Sequence, residues 1–200
     1  MQQPSAEKVE KLRQALAEYE SGQHAGELFD EAAEEDKARV RKRALGLLDQ
    51  RSRSRHELKE RLLRSESPEE VIDEVLDDLA RVGLLNDAAF AQEWVRQRHG
   101  RRGKSARVLD RELQRKGVGQ DERADALEQI DEADEEAMAW KFAEKKARSV
   151  KEIPADRAER DKALRRIVGV LARRGYNEGM SLRLAKQALE NRCAELEDES

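Results

Sequence analysis

Apolar residues along this 200-residue chain recur at spacings of three and four, in short runs divided by capping residues and glycines. Residues 5–20 place Val9, Leu12, Leu16 and Tyr19 on one face, an amphipathic helix about two heptads long. Ser21 to Gly26 break it, and an acidic stretch follows to Asp36. From Ala38 the pattern strengthens: Val40, Ala44, Leu47 and Leu48 share a face. Ser54 and Glu57 form a capping box ahead of Leu58 and Leu62. A second box, Ser67 with Glu70 and with Pro68 at the first helical position, opens a helix carrying Val71, Ile72, Val75, Leu76 and Leu79. Gly83 is placed to end that helix, with Leu84 as its apolar lid.

The plan then recurs. Asp87 is placed to cap a helix bearing Phe90, Ala91, Trp94 and Val95. After a basic turn at 100–103, Val108, Leu109 and Leu113 line a helix ending at Gly117, and Ala124, Leu127 and Ile130 line a short third. An acidic segment, Asp131 to Glu136, opens another unit with Trp140, Phe142 and Ala143 on its first helix. Leu164, Ile167, Val168 and Leu171 line its second helix, which ends at Gly175, and Leu182, Ala185 and Leu189 its third. The periodicity is a true repeat. "ELQRKGV" at 112–118 falls on "VLARRGY" at 170–176 with an offset of 58, and Leu58 and Leu62 fall on Leu109 and Leu113 with an offset of 51. In the first unit "RLLRSES" stands where the others have a basic-Gly ending. The expected architecture is therefore all-α, an elongated array of three tandem three-helix repeats (38–86, 87–131 and 132–194). An acidic helical or flexible extension (1–37) precedes it and an acidic tail (195–200) follows.

Composition agrees with thin helical units: 42% of residues are charged, 38% hydrophobic and only 4% aromatic. The formal charge of −4 conceals a polarity. Residues 1–37 hold four bases and ten acids and 195–200 hold four acids, which leaves 36 bases against 30 acids in 38–194. A mildly basic body between acidic ends is compatible with an anionic partner. Cys193 is the only cysteine, so no internal disulfide or cysteine-rich metal site is expected. No leader and no apolar run of membrane-spanning length is present, so a cytoplasmic protein is expected.

At this point a family resemblance enters. The stretches "ALGLLDQRSRSRHELKERL" (44–62), "VLDDLARVGLLNDAAFAQEWVRQR" (75–98), "GKSARVLDRELQRKGV" (103–118) and, more loosely, "IVGVLARRGY" (167–176) resemble the RecX family of bacterial RecA regulators. The block joining the first two units is the most specific. The resemblance implies a non-enzymatic, cofactor-free protein that lies in the groove of RecA–DNA filaments. There it inhibits the recombinase and ATPase activities and the cleavage of the LexA repressor, in DNA repair and the SOS response. A monomer is expected, with RecA as partner and single- or double-stranded DNA as a possible further contact. The competing reading is a sequence-tolerant DNA-binding helical protein acting without RecA, and a helical adaptor for some other protein stays open.

Candidate contact residues are cations. Arg96, Arg98, Arg101, Arg102, Lys104 and Arg107 lie between repeats one and two within twelve residues and without an acid among them; Gly100 and Gly103 let that backbone approach a partner. The bland alternative is a solvated basic loop. Arg51, Arg53 and Arg55 form a smaller cluster at the start of a helix, where cations are locally unfavourable, which hints at an outside anion. Arg115-Lys116 and Arg173-Arg174 are read as complements to helix C-termini, and Phe90 with Trp94 as core rather than a base-stacking pair. Trp140 and Phe142 cannot share a face, so one of them is expected at the surface or between units. His24, His56 and His99 are too scattered for a metal set, and no phosphate-cradling loop or nucleophile–base pair stands out.

Overall fold

In the computed structural model, residues 31–65 and 67–199 are described, with side chains from Glu34 onward. The predicted helix over 5–20 lies outside them. Nine helices form among the described residues: α1 (Glu31–Gln50), α2 (Arg55–Leu62), α3 (Glu69–Arg81), α4 (Asp87–Arg102), α5 (Ala106–Arg115), α6 (Gln120–Leu127), α7 (Glu132–Ala147), α8 (Arg157–Arg174) and α9 (Glu178–Asp198). They pack in three groups. Val40, Leu58, Leu62, Ile72, Val75 and Leu76 fill the bundle of α1–α3. Phe90, Ala91, Val95, Leu109, Leu113 and Ala126 fill that of α4–α6, and Ala139, Ala143, Ile167, Leu171, Ala185 and Leu189 that of α7–α9. A fully buried leucine contributes roughly 1.5–3 kcal/mol, so Leu58, Leu62, Ile72 and Leu76 supply most of the first core and the Leu109/Leu113 pair much of the second. The main helix packings all lie within a bundle.

Local chemistry sets the helix ends, with corrections to the sequence reading. Ser54 caps α2 by accepting from the Glu57 N–H at 3.2 Å. The second box does not form: Pro68 itself is the N-cap of α3, with no side-chain cap bond. Asn86, not Asp87, caps α4, its side chain accepting from the Ala89 N–H at 2.9 Å. Past α3 the lid is Leu85, 4% exposed, whereas Leu84 is 56% exposed, because the left-handed turn at Gly83 (φ 76°) swings the chain one residue further before it faces the core. In α6 the buried residue is Ala126 rather than Ala124, and in α9 Leu184 replaces Leu182, which stays exposed. α1 begins at Glu31, ahead of Ala38, and α9 runs into the acidic tail to Asp198.

The bundles join through their middle helices, which meet end to end. The Ser54 hydroxyl at the start of α2 donates to the Lys116 carbonyl past the end of α5 at 2.5 Å. In the same way the Ser105 N–H at the start of α5 donates to the Arg174 carbonyl that ends α8 at 3.0 Å. At the second joint backbone groups of two helix termini satisfy each other, at the first a capping hydroxyl takes the terminal carbonyl, and in both a helix C-terminus meets an N-terminus. A carboxylate from the next bundle completes each joint: Asp87 accepts from the Arg55 N–H and Glu135 from the Ala106 N–H, both at 2.8 Å. Gly117 (φ 71°) and Gly175 (φ 90°) make the approach possible. A methyl group there would sit 2.3 Å from His56 Cβ and 2.1 Å from Val108 Cγ2 respectively.

The two joints differ in chemistry. Between the second and third bundles, Tyr176 is 3% exposed and its hydroxyl donates to the Gly103 carbonyl at 3.0 Å. Burial, with repulsion from Glu135 and only partial relief from Arg174, pushes that phenol up to about 12. Phe142 packs against Gly103 in the same joint, with Arg174 stacked 3.8 Å from its ring centroid. Phe142 is thus the interface aromatic. Trp140 lies instead beside Leu184 and Arg183, between α7 and α9. The joint between the first and second bundles is ionic, as described next.

Candidate functional site

Trp94 organises the basic residues. Its helix places it one turn after Phe90, and the two rings lie 5.5 Å apart at 34°. Phe90 is buried in the core, as expected; Trp94 is only partly so. The Arg98 guanidinium stacks 3.4 Å from the Trp94 ring centroid and the Lys116 ammonium stands 4.2 Å from it. The indole N–H donates to Glu112 at 3.1 Å, and the same carboxylate pairs with Lys104 and lies 3.6 Å from Arg98 Nε. Burial, and then the neighbouring Arg102, pull Arg98 below the ordinary guanidinium value. Its Nε is buried without a hydrogen-bond partner. The His99 ring (Nδ1 to the Lys104 carbonyl, 3.0 Å) holds the turn from α4 into α5.

Arg51 belongs to the same network. It pairs with Glu57 at 3.1 Å, and Glu57 pairs across the joint with Lys116. The two clusters that are separate in sequence therefore meet: Arg51–Glu57–Lys116 abuts Trp94–Arg98–Glu112. Burial pushes Glu57 up, but the hydrogen bonds and charges of Arg51 and Lys116 outweigh it and hold the carboxyl at about 2. Because the folded value lies below the ordinary 4.5, the stabilisation is complete above that value and drains away as pH falls from about 4.5 towards 2. Wild type is expected to lose on the order of 2 kcal/mol more than Glu57→Gln across this window, after allowance for screening at the exposed Arg51. Urea midpoints measured at several pH values test this. Parallel pH profiles for the two proteins would remove Glu57 from the joint's energetics.

The nine predicted contact residues thus divide. Arg53 is 6% exposed and donates to the Leu47 carbonyl at 3.0 Å, neutralising the end of α1. Arg55 pairs with Asp77, Arg96 with Glu93, and Arg51, Arg98 and Lys104 join the network above. Arg101, Arg102 and Arg107 remain: all three are exposed, and none makes an ion pair or hydrogen bond among the described residues. The segment lies inside the second bundle, at the α4–α5 turn, rather than between repeats one and two. Gly103's close approach is to Phe142 of the same chain, and Gly100 has open space around it.

Sequence reasoning overlooked Arg111 and undervalued Arg115. With Arg107 they form an exposed stripe at i, i+4 and i+8 of α5, opposite buried Leu109 and Leu113. Successive members lie about 6 Å apart along the axis, a spacing comparable to that of successive backbone phosphates. Arg111 and Arg115 likewise lack partners among the described residues. The signal was helical spacing on the polar face, hidden by attention to a contiguous basic run. Among the described residues no group of His, Cys, Asp or Glu is arranged to hold a metal, and no helix is long and apolar enough to cross a membrane.

Comparison with known proteins gives consistent results. Residues 41–79 match the family model for the first three-helix domain of RecX, and residues 86–127 that for the second. The regulatory protein RecX of Corynebacterium efficiens is 59% identical over 194 residues, covering 96% of this chain and 92% of that protein. The regulatory protein RecX of Streptomyces coelicolor is 46% identical over 146 residues, 73% of this chain and 75% of that one. A crystal structure of RecX from Lactobacillus salivarius shares the fold, with a TM-score of 0.66 at 23% identity, over 78% of this chain and 98% of that one.

Proposed function

Because the chain belongs to the RecX family of regulatory proteins, we propose that it regulates, chiefly by inhibition, the RecA recombinase by lying along the RecA–DNA filament. The observation that carries this reading is the exposed, unpaired set Arg101, Arg102 and Arg107, continued by Arg111 and Arg115. It is carried on a serial frame whose bundles are fixed to one another end to end. Unpaired arginines on a rigid helix present ready forks to phosphate or carboxylate without first having to leave an internal partner. A frame of linked bundles suits contact with several neighbouring subunits. Regulation then follows from different affinity for the extended and inactive filament states, with no chemistry by this chain.

Titration into a cognate RecA–DNA filament is expected to lower the DNA-dependent ATPase and LexA cleavage at substoichiometric to equimolar ratios. Full ATPase and cleavage at an equimolar ratio would overturn the reading. Direct binding to DNA without RecA is favoured by the Arg107–Arg111–Arg115 stripe. Such binding is salt-dependent through its phosphate contacts, and the small positive surplus of the body, 36 bases against 30 acids, keeps it weak.

A further inference from the structure

The third bundle departs from the first two at the place where a following bundle would dock. At an offset of 58, Ser105 falls on Ala163, but α8 starts at Arg157 and Ala163 lies inside the helix. The N-terminal N–H groups that α2 and α5 offer to the next bundle are therefore not presented there. In that position is a cavity of about 300 Å³, bounded by the end of α7, the 148–156 connection and α8. Lys146, Lys151, Lys162 and Arg166 line it, above an apolar floor that includes Val150 and Ile167. None of these four side chains makes an ion pair or hydrogen bond among the described residues. Two acids also line it, both exposed: Glu152, and Glu159, which accepts from the Ala155 N–H at 3.0 Å. The lining therefore carries a surplus of two positive charges, with four cations drawn from three segments of chain.

We propose that this cavity binds a phosphate group. Three ammonium groups and one guanidinium fork around a small concavity suit a tetrahedral oxyanion, whose charge relieves the mutual repulsion of the cations. The cavity's size admits a phosphate on a flexible strand or on a free nucleotide, not the body of a duplex. The site is distinct from the α4–α5 surface and does not rest on the filament reading: loss of RecA inhibition would leave the cavity's titration unchanged.

Isotope-labelled full-length protein titrated with inorganic triphosphate, and separately with a single-stranded oligothymidylate, tests it by NMR. Saturable amide shifts at Val150, Lys162, Ala163 and Arg166 are expected with either probe. Shifts with both are the result expected of a strand phosphate, and shifts with triphosphate alone the result expected of a free phosphate or phosphorylated small molecule. Lys162→Glu with Arg166→Glu is expected to weaken binding by about ten-fold or more, equivalent to at least ~1.4 kcal/mol. Lys151→Glu, on the connection rather than a helix, supplies a second variant should the double one unfold. Absence of shifts at these amides with both probes would overturn the proposal. So would shifts confined to residues 101–115, or unchanged affinity in the variants.

Discussion

Gly175→Ala is expected to uncouple the third bundle and destabilise the chain by about 2–5 kcal/mol. Two costs combine. An L-residue held in the left-handed region costs about 1–2 kcal/mol, and Gly175 sits at φ 90°. The added methyl also meets Val108 Cγ2 at 2.1 Å and Ser105 Oγ at 2.7 Å, where overpacking costs roughly 1–3 kcal/mol. Relief by backing away would stretch the Ser105 N–H to Arg174 carbonyl bond and draw Tyr176 from the Gly103 carbonyl. In a serial array the loss falls on one interface, so the single unfolding transition should split, with α7–α9 melting first. Hydrogen exchange should accelerate most at the Ser105 amide. Val108→Ala in the same chain removes the nearest clash and is expected to recover part of the loss, a coupling that a double-mutant cycle measures. An unsplit transition within about 0.5 kcal/mol of wild type would show that this joint is not close-packed.

The same glycine shows how much of the fold was legible in the sequence and where legibility stopped. Its place after Arg173-Arg174 marked a helix end, and the stripes Ile72–Val75–Leu76–Leu79 and Ile167–Leu171 set which faces are buried. Those are local facts, fixed by periodicity and by the cap that follows. What Gly175 touches is not local: Val108 is 67 positions away, and Ser54 and Lys116, bonded across the other joint, are 62 apart. The repeat offsets did bring these segments into register, yet register alone does not say that helix ends meet. Small errors had similar roots. Leu84 and Leu85 are both plausible lids until the exact turn at Gly83 decides between them. The basic cluster was visible as composition, but which cations were free was not. Glu112, beyond the 96–107 run, folds back to occupy Arg98 and Lys104, while Glu57 holds Arg51 on its own segment and Lys116 across the joint.

Free and occupied cations should behave differently when reversed. Under the filament reading, Arg101→Glu, Arg102→Glu and Arg107→Glu together are expected to raise the concentration for half-inhibition of RecA ATPase about ten- to a hundred-fold. Three exposed charge contacts at roughly 0.5–1 kcal/mol each give that range. The fold is expected to survive, since these side chains are exposed and hold no partner among the described residues. Arg96→Glu is the control: it lies on α4 with Arg101 and Arg102 and is also exposed, but it already spends its charge on Glu93. It should shift inhibition only about two-fold. Arg98 is excluded from the set because reversing it would break the Trp94 stack and test stability instead. Salt separates the partners. If the arginines meet nucleic-acid phosphates, the slope of log affinity against log salt should fall by about 2–3 in the triple variant. If they meet acidic side chains of RecA, affinity drops with a smaller change in slope, because no condensed counterions are released. Full inhibition by the triple variant would exclude the α4–α5 surface and leave the filament contact to be sought on another face of the bundles.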